Sequence, residues 1–290
     1  MNTPFDLADN DAYLRWRERK LAQAIATPAE LVVEITDPAA LTAAERSELL
    51  VRCRHSNMAI YATRAKMDEL TVQQLGTQLG LLRLDANWLA GEQGVSRIAV
   101  HPGDGTRQAY IPYTDRAIKW HTDGYYNPPE RQIRGMILHC AQPAAQGGEN
   151  RLLDHEIAYL MLRDADPEFI RALSAPDAMT IPERTDEQGV ARAAQTGPVF
   201  SIDDSGHLHM RYTARTRSIE WKQDAATRAA VVQLERLLDS DLPHIFHARL
   251  EPGTGLLCNN VLHDRAAFTD DPEQPRLLFR ARYLDRVSST

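Results

Sequence analysis

Within "IKWHTDGYYNPP", His121 and Asp123 carry an imidazole and a carboxylate two residues apart, the side chains a divalent metal ion takes most readily. Alternate residues of an extended strand share a face, so both would point one way and Thr122 the other. The pair alone carries little weight, because a chain with 10 histidines and 40 acidic residues supplies about one such spacing by chance. A facial triad needs a second histidine from another strand and leaves adjacent coordination positions open for substrates. His263, in "NNVLHDRAAF", is the candidate.

The segment "PRLLFRARYLD" adds a second chemistry. Arg276, Leu278, Arg280 and Arg282 share one parity, and Leu277, Phe279, Ala281 and Tyr283 the other. Buried arginines are costly without partners. If their face lines a barrel interior, it calls for carboxylates, and a dicarboxylate cosubstrate would supply one by bidentate pairing. If it faces solvent, the ladder guards an edge strand against aggregation. Alternation leaves both readings open.

Other residues divide in the same way. Tyr125 and Tyr126 follow the metal pair and form either an aromatic wall for a substrate or a surface turn. Trp120, pointing away from His121, belongs to the core. In "MRYTARTR", Arg211, Arg215 and Arg217 make a solvated charge cluster, or else Arg211 or Arg215 reaches a barrel mouth and pairs an acidic substrate. Arg265 either shares the His263 face or pairs with the acidic "TDD" loop. "HLH" at 207–209 is a rival metal site without a carboxylate at ligand spacing. His139, His207, His209, His244 and His247 are assigned to packing or hydrogen bonding.

The elements that must position these groups are mostly short strands. Helical spacing covers residues 11–25 and 41–53, the second opened by a Thr42-to-Glu45 capping box, and "MDELTVQQLGTQLGLL". "LVVEI" and "MAIYA" read as strands. From about residue 96 come "SRIAV", "IKWHTD", "IRGMILHC", "NRLLD", "PVFSI", "HLHMRY", "HIFHARL", "GLLCNN" and "RLLFRARYL", with helical insertions at about 155–173 and 224–239. This favours a closed or sandwich-like β core over alternating βαβ units. Neither "PGDGT" nor "PGTG" continues into a phosphate-loop or dinucleotide fingerprint.

Composition narrows the partners. The 290 residues, 43% of them hydrophobic, can bury one large core, so a single domain 1–290 is expected, with a helix-rich part at 1–95 and the β core at 96–290. A net charge of -7, with Lys and Arg scattered along the chain, lacks the basic field that nucleic-acid binding needs. No segment nears the roughly 20 apolar residues a membrane span needs, and the N-terminus lacks an apolar signal core. A cytoplasmic protein is expected. Cys53, Cys140 and Cys258 suit buried thiols in a reducing compartment.

His121-Thr-Asp123, then "GGEN" at 147–150, "LHDRAAF" around His263, and Arg276 with Arg280 together resemble the iron(II)- and 2-oxoglutarate-dependent dioxygenases of the taurine dioxygenase family. "HTD" with a following "PP", "LHC", paired glycines before a strand and "NNVLH" are locally similar to the gamma-butyrobetaine hydroxylase branch. The resemblance spans residues 115–285. It implies an α+β fold with a double-stranded β-helix (jelly-roll) core and flanking helices, and Fe(II) on His121, Asp123 and His263. Arg276 would hold the distal carboxylate of 2-oxoglutarate, and Arg280 either that cosubstrate or an acidic substrate group. Asn150 stands where the taurine enzyme has a threonine that helps hold 2-oxoglutarate, and can still donate a hydrogen bond. With O2, such a site oxidises a C–H bond while 2-oxoglutarate gives succinate and CO2. Because Asp123 is present, halogenation, which needs a small residue there, is disfavoured.

The implied substrate is a small anionic molecule. Loops at about 101–118 and 176–197 would shape its site; the family resemblance permits dimers and tetramers, and the apolar pattern selects neither. The alternatives are a cupin-like metalloenzyme without 2-oxoglutarate and a non-catalytic jelly-roll binding protein.

Overall fold

The computed structural model describes residues 3–85, 94–100, 103, 110–186, 189–215, 219–288 and 290. The chain forms two compact units that interleave in sequence, so no single cut near residue 95 separates them. One comprises Ile25–Lys119, Ile133–Leu152 and Phe246–Thr290; the other comprises Met1–Ala24, Trp120–Gln132 and Leu153–Ile245.

The first unit is built on a six-stranded sheet in the order Val32–Glu34, Met58–Ala62, Thr254–Cys258, Gly135–Gln142, Leu277–Tyr283, Ser96–Ile98. Both strands expected in the N-terminal third therefore join the sheet that carries the arginine ladder. One face packs on helices. Ala43–Ser56 starts at the expected capping box, with Thr42 Oγ1 accepting from Glu45 N–H and the Glu45 carboxylate from Thr42 N–H. Asn57, at φ 55°, turns the chain directly from that helix into Met58–Ala62. Glu69–Gln78 is capped by Asp68 and lies close to the last strand; a Cβ on Gly76 would collide with Tyr283 Oη. Phe279, Ala281 and Tyr283 join Tyr61, Ile137 and Leu257 in this core, each large side chain contributing about 1.5–3 kcal/mol of burial.

Met58, Ile60, Met136 and Leu256, on the opposite face, pack against Leu152, Phe246 and Ala248. Those three belong to a four-stranded sheet in the order Phe246–Ala248, Asn150–Leu153, Leu262–Arg265, Ile118–His121. Sheet stacked on sheet is the jelly-roll arrangement expected, and the helix faces complete the α+β class.

The other unit gathers the helices Asn10–Ala22, His155–Ala165, Pro167–Leu173 and Ala225–Leu238 with several small sheets. Lys20 is buried between Asp154 and Glu156, at 2.6 Å from each. Phe5, Trp16, Tyr159 and Phe200 meet edge to face in the same unit. All three cysteines are free and buried, as expected. Among the described residues no helix is long and apolar enough to cross a membrane.

Candidate metal centre and anion pocket

His121 ends its strand, and His263 is the second residue of the neighbouring strand in the four-stranded sheet. Trp120 points away from His121 into the core, as expected, and its Nε1 donates to the Leu238 carbonyl at 3.1 Å. The expected strand "IKWHTD" stops two residues early. Thr122 exchanges hydrogen bonds with the Tyr212 backbone, its N–H at 3.0 Å and its Oγ1 at 3.1 Å, and His121 bridges Thr213. Gly124 then adopts φ 66° and closes a turn with Asn127. Asp123 thus projects from the turn rather than from the strand, yet its Oδ1 lies 3.7 Å from His121 Nε2, with both side chains at most 11% exposed.

Ligand atoms of His121, Asp123 and His263 all lie within 4.8 Å of one another, the one such metal-ligating group among the described residues. The rival "HLH" forms none: His207, 39% exposed at its side chain, lies 3.4 Å from Asp203. His139 stacks on Tyr61 and Phe279, and His155, which the sequence reading left unassigned, bonds the Leu208 carbonyl.

Both flanks of His263 are braced. Its Nδ1 lies 2.9 Å from the Val261 carbonyl, an acceptor, so Nδ1 carries the proton and Nε2 keeps the lone pair a metal needs. Before it, Asn260 takes φ 55° and donates to the Ile133 carbonyl at 2.6 Å, while Asn259 donates to Asn57 Oδ1 and accepts from Val287 N–H. The expected strand "GLLCNN" therefore ends at Cys258, and the asparagines form the turn. After it, Asp264 accepts from Arg151 N–H at 2.8 Å and pairs with the Arg151 guanidinium at 2.7 Å. This donor set fits iron: two imidazoles and one carboxylate, nearly buried and converging.

A pocket lined by Cys140, Gly148, Asn150, Arg249, Arg276 and Leu278 lies in the first unit. Gly147 and Gly148 have φ of 75° and 78°, and a Cβ on Gly148 would sit 3.7 Å from Arg276 Nε, in the space before the guanidinium. Arg276 is buried, and burial lowers its pKa. Arg265 and Arg276 flank the Phe268 ring at 4.8 and 4.9 Å. Burial first, then repulsion from Arg276, pushes the Arg265 pKa down to about 9. An excess of buried positive charge beside a lined cavity suits a carboxylate ligand.

The arginine ladder resolves residue by residue. Its strand lies inside the sheet, so the edge-guarding reading fails. Arg282 is taken by Asp85 at 2.7 Å. Arg280 is half-buried opposite Leu138 and Ser96, leaving Arg276 as the ladder member that lines the pocket. Asn150 lines the same pocket, but its Nδ2 donates to the Asp264 carbonyl at 2.5 Å, making it a brace of the His263 strand. Arg265 is also a brace, donating to the carbonyls of Pro112, Thr114 and Arg116 rather than pairing with "TDD".

Arg211 requires a correction. It is buried, and its guanidinium donates to the carbonyls of Met179, Gln195, Gly197 and Pro198, so it holds backbone together instead of facing a substrate. Arg215 is exposed two residues after Thr213, which bridges His121. Arg217 lies outside the described residues, as do 101–102, 104–109 and 187–188 of the two expected substrate loops. Tyr125 is buried edge-on to His121, with centroids 6.5 Å apart, and Tyr126 meets it at 5.1 Å. Sequence reasoning missed Arg192, whose guanidinium lies 5.5 Å from the Tyr126 ring centre. It also missed the Arg151–Asp264 pair, for which the single signal was an acidic residue directly after His263.

A curated uridine-5'-phosphate dioxygenase from Amycolatopsis sp is 33% identical over 193 residues, 64% of this chain and 64% of that protein. Another from Streptomyces sp is 33% identical over 178 residues, 60% of this chain and 64% of that protein. The chain thus spans about 64% of the length of these relatives. An asparagine oxygenase in complex with Fe(II), 2S,3S-3-hydroxyasparagine and succinate matches with a TM-score of 0.62 at 15% identity, over 96% of this chain and 92% of that one. The non-heme iron oxygenase OrfP, in complex with Fe and alpha-ketoglutaric acid, matches with 0.63 at 16% identity, over 85% and 81%. These likenesses establish the double-stranded β-helix fold. The family model described as taurine catabolism dioxygenase TauD, TfdA family matches residues 18–282. Over nearly its whole length, then, the chain belongs to the taurine catabolism dioxygenase TauD, TfdA family, dioxygenases whose solved neighbours hold iron and 2-oxoglutarate or its product.

Proposed function

We propose that the chain is a single catalytic domain acting as an iron(II)- and 2-oxoglutarate-dependent oxygenase, hydroxylating a C–H bond of a small anionic molecule with release of succinate and CO2. The convergence of His121, Asp123 and His263 within 4.8 Å carries this reading. Those three hold the metal, and Arg276 holds the distal carboxylate of 2-oxoglutarate. Bound iron, with 2-oxoglutarate and O2, supplies the oxidising power for C–H cleavage.

The chain's own residues do the positioning. The Val261 carbonyl fixes the His263 tautomer, and the Arg151–Asp264 pair with Asn150 holds its strand. Tyr125 shields one side of His121 from water, and Tyr126 extends that wall toward the substrate. Arg280, on the Arg276 face, and Arg215, at the surface, are the further cations placed toward an anionic substrate. The relatives' names make a nucleoside 5'-monophosphate the first class to offer. The finer likeness to the gamma-butyrobetaine hydroxylase branch rests on short motifs alone. Buried free thiols favour a reducing, cytoplasmic setting.

An anaerobic titration of the apoprotein with iron(II), then 2-oxoglutarate, tests the proposal through the visible metal-to-ligand charge-transfer band. A band saturating at one iron per chain, and lost in Asp123→Ala, is expected. Folded, iron-loaded wild-type protein without the band would overturn it.

A further inference from the structure

The strands Arg184–Asp186 and Gly189–Arg192 form a hairpin that sets Arg184 and Arg192 opposite each other. Like charges directly across a ladder oppose strand pairing, so the pair concentrates positive charge on one face of the hairpin. Arg192 is half-buried, and its Nη2 donates to the Pro182 carbonyl at 2.7 Å. Its Nη1 is buried without a hydrogen-bond partner among the described residues. Such a donor is expensive to leave unmade, and a ligand is one way to satisfy it.

The location gives that orphan donor a direction. Tyr125 stands edge-on to His121 at 6.5 Å, Tyr126 edge-on to Tyr125 at 5.1 Å, and the Arg192 guanidinium carbon lies 5.5 Å from the Tyr126 ring centre. A continuous line of ring contacts thus leads from a metal-ligating histidine to a cation with an unused donor. Burial, and to a lesser degree Arg184, lowers the Arg192 pKa, the sign expected of a cation lacking its counter-ion.

We propose that Arg192, with Arg184 across the hairpin, receives the phosphate of an organic phosphate monoester whose reacting carbon lies toward His121, the Tyr125–Tyr126 pair giving its planar ring a stacking surface. This rests on the oxygenase reading above and names its substrate class. A phosphate monoester suits two guanidinium groups better than a carboxylate does, because its terminal oxygens can accept from both at once. If Arg192 is only a brace on Pro182 and Tyr126, its removal loosens the hairpin without changing how ligands are ranked.

The test is binding to the iron(II)- and 2-oxoglutarate-loaded protein without oxygen, read by calorimetry and by the shift of the charge-transfer band. Uridine 5'-phosphate, uridine and inorganic phosphate are the probes. Wild-type protein should bind the nucleotide at least about tenfold more tightly than the nucleoside, with inorganic phosphate competing weakly. Arg192→Met should erase that preference while leaving uridine and 2-oxoglutarate affinities unchanged, and Arg192→Lys should restore part of it. Arg184→Met, at an exposed position, should reduce the preference and serves if Arg192→Met does not fold. A preference that persists in Arg192→Met, or in Arg184→Met where that variant is the one measured, overturns the inference, as does wild-type protein that forms the band but binds uridine equally well. Absence of the band overturns the cofactor reading and this inference with it.

Discussion

Replacing Arg276 by methionine should weaken 2-oxoglutarate binding and leave the ligand-free protein at least as stable, two effects of opposite sign. The side chain is buried, shares the Phe268 ring with Arg265, and is the largest electrostatic influence on Arg265 after burial itself. Methionine keeps most of the length and removes a desolvated charge, a change worth between zero and about 4 kcal/mol in favour of the folded state. A bound carboxylate, by contrast, loses its partner at a cost of about 2–5 kcal/mol, weakening 2-oxoglutarate roughly 30-fold to several-thousand-fold. At a 2-oxoglutarate concentration of about 100 times the wild-type Kd, the ligand stabilises wild-type protein by about 2.7 kcal/mol. The variant at the same concentration gains less than about 1 kcal/mol. At about 2–4 °C per kcal/mol, differential scanning calorimetry with Mn(II) in place of iron resolves the difference. An undiminished 2-oxoglutarate shift in Arg276→Met would refute the assignment. Loss of more than about 2 kcal/mol from the ligand-free protein would show instead that the guanidinium is a structural anchor.

Two further outcomes follow from buried groups away from the metal. Asp85→Ala strands Arg282 in a site where the two side chains are 1% and 5% exposed, and should cost about 3–5 kcal/mol in urea denaturation, much of it recovered by adding Arg282→Met. Burial between Tyr61 and Phe279 lowers the His139 pKa from 6.5 to about 4, so between those values the unfolded chain binds the extra proton. Stability is therefore full above pH 6.5 and falls, by on the order of 3 kcal/mol, as the pH drops toward 4. His139→Phe, which keeps the stack, should flatten that part of the stability–pH curve; an unchanged slope would refute the account.

The metal ligands were legible because a triad is written in residue types, and a two-residue spacing survives the change from strand to turn. Asp123 shows this: the strand ends at His121, yet the pair still converges. The β core was legible from alternation, with Phe279, Ala281 and Tyr283 on one face as read. Turn chemistry decided where the reading failed. Gly124 and Asn260 end their strands through left-handed backbone, a local preference that apolar periodicity does not record. Arg192 was invisible because its meaning comes from Tyr126, which lies far away in sequence.

The arginines show why residue type and parity could not finish the assignment. Arg211, Arg265, Arg276 and Arg282 are all buried, and each was open to a structural or a ligand-binding reading. What separates them is how each guanidinium is satisfied. Arg282 has a carboxylate, so its charge is neutralised within the fold. Arg211 and Arg265 have backbone carbonyls, which satisfy their donors but leave the charge in place. Arg276 faces an aromatic ring and a pocket, while the Asp270 carboxylate accepts from its backbone N–H. Arg265 and Arg276 thus add two desolvated charges around Phe268. A fold keeps such a cluster at a cost in stability, and that cost is returned when a dianionic cosubstrate enters. The same reasoning, applied to a donor with no partner rather than to a charge, is what singles out Arg192.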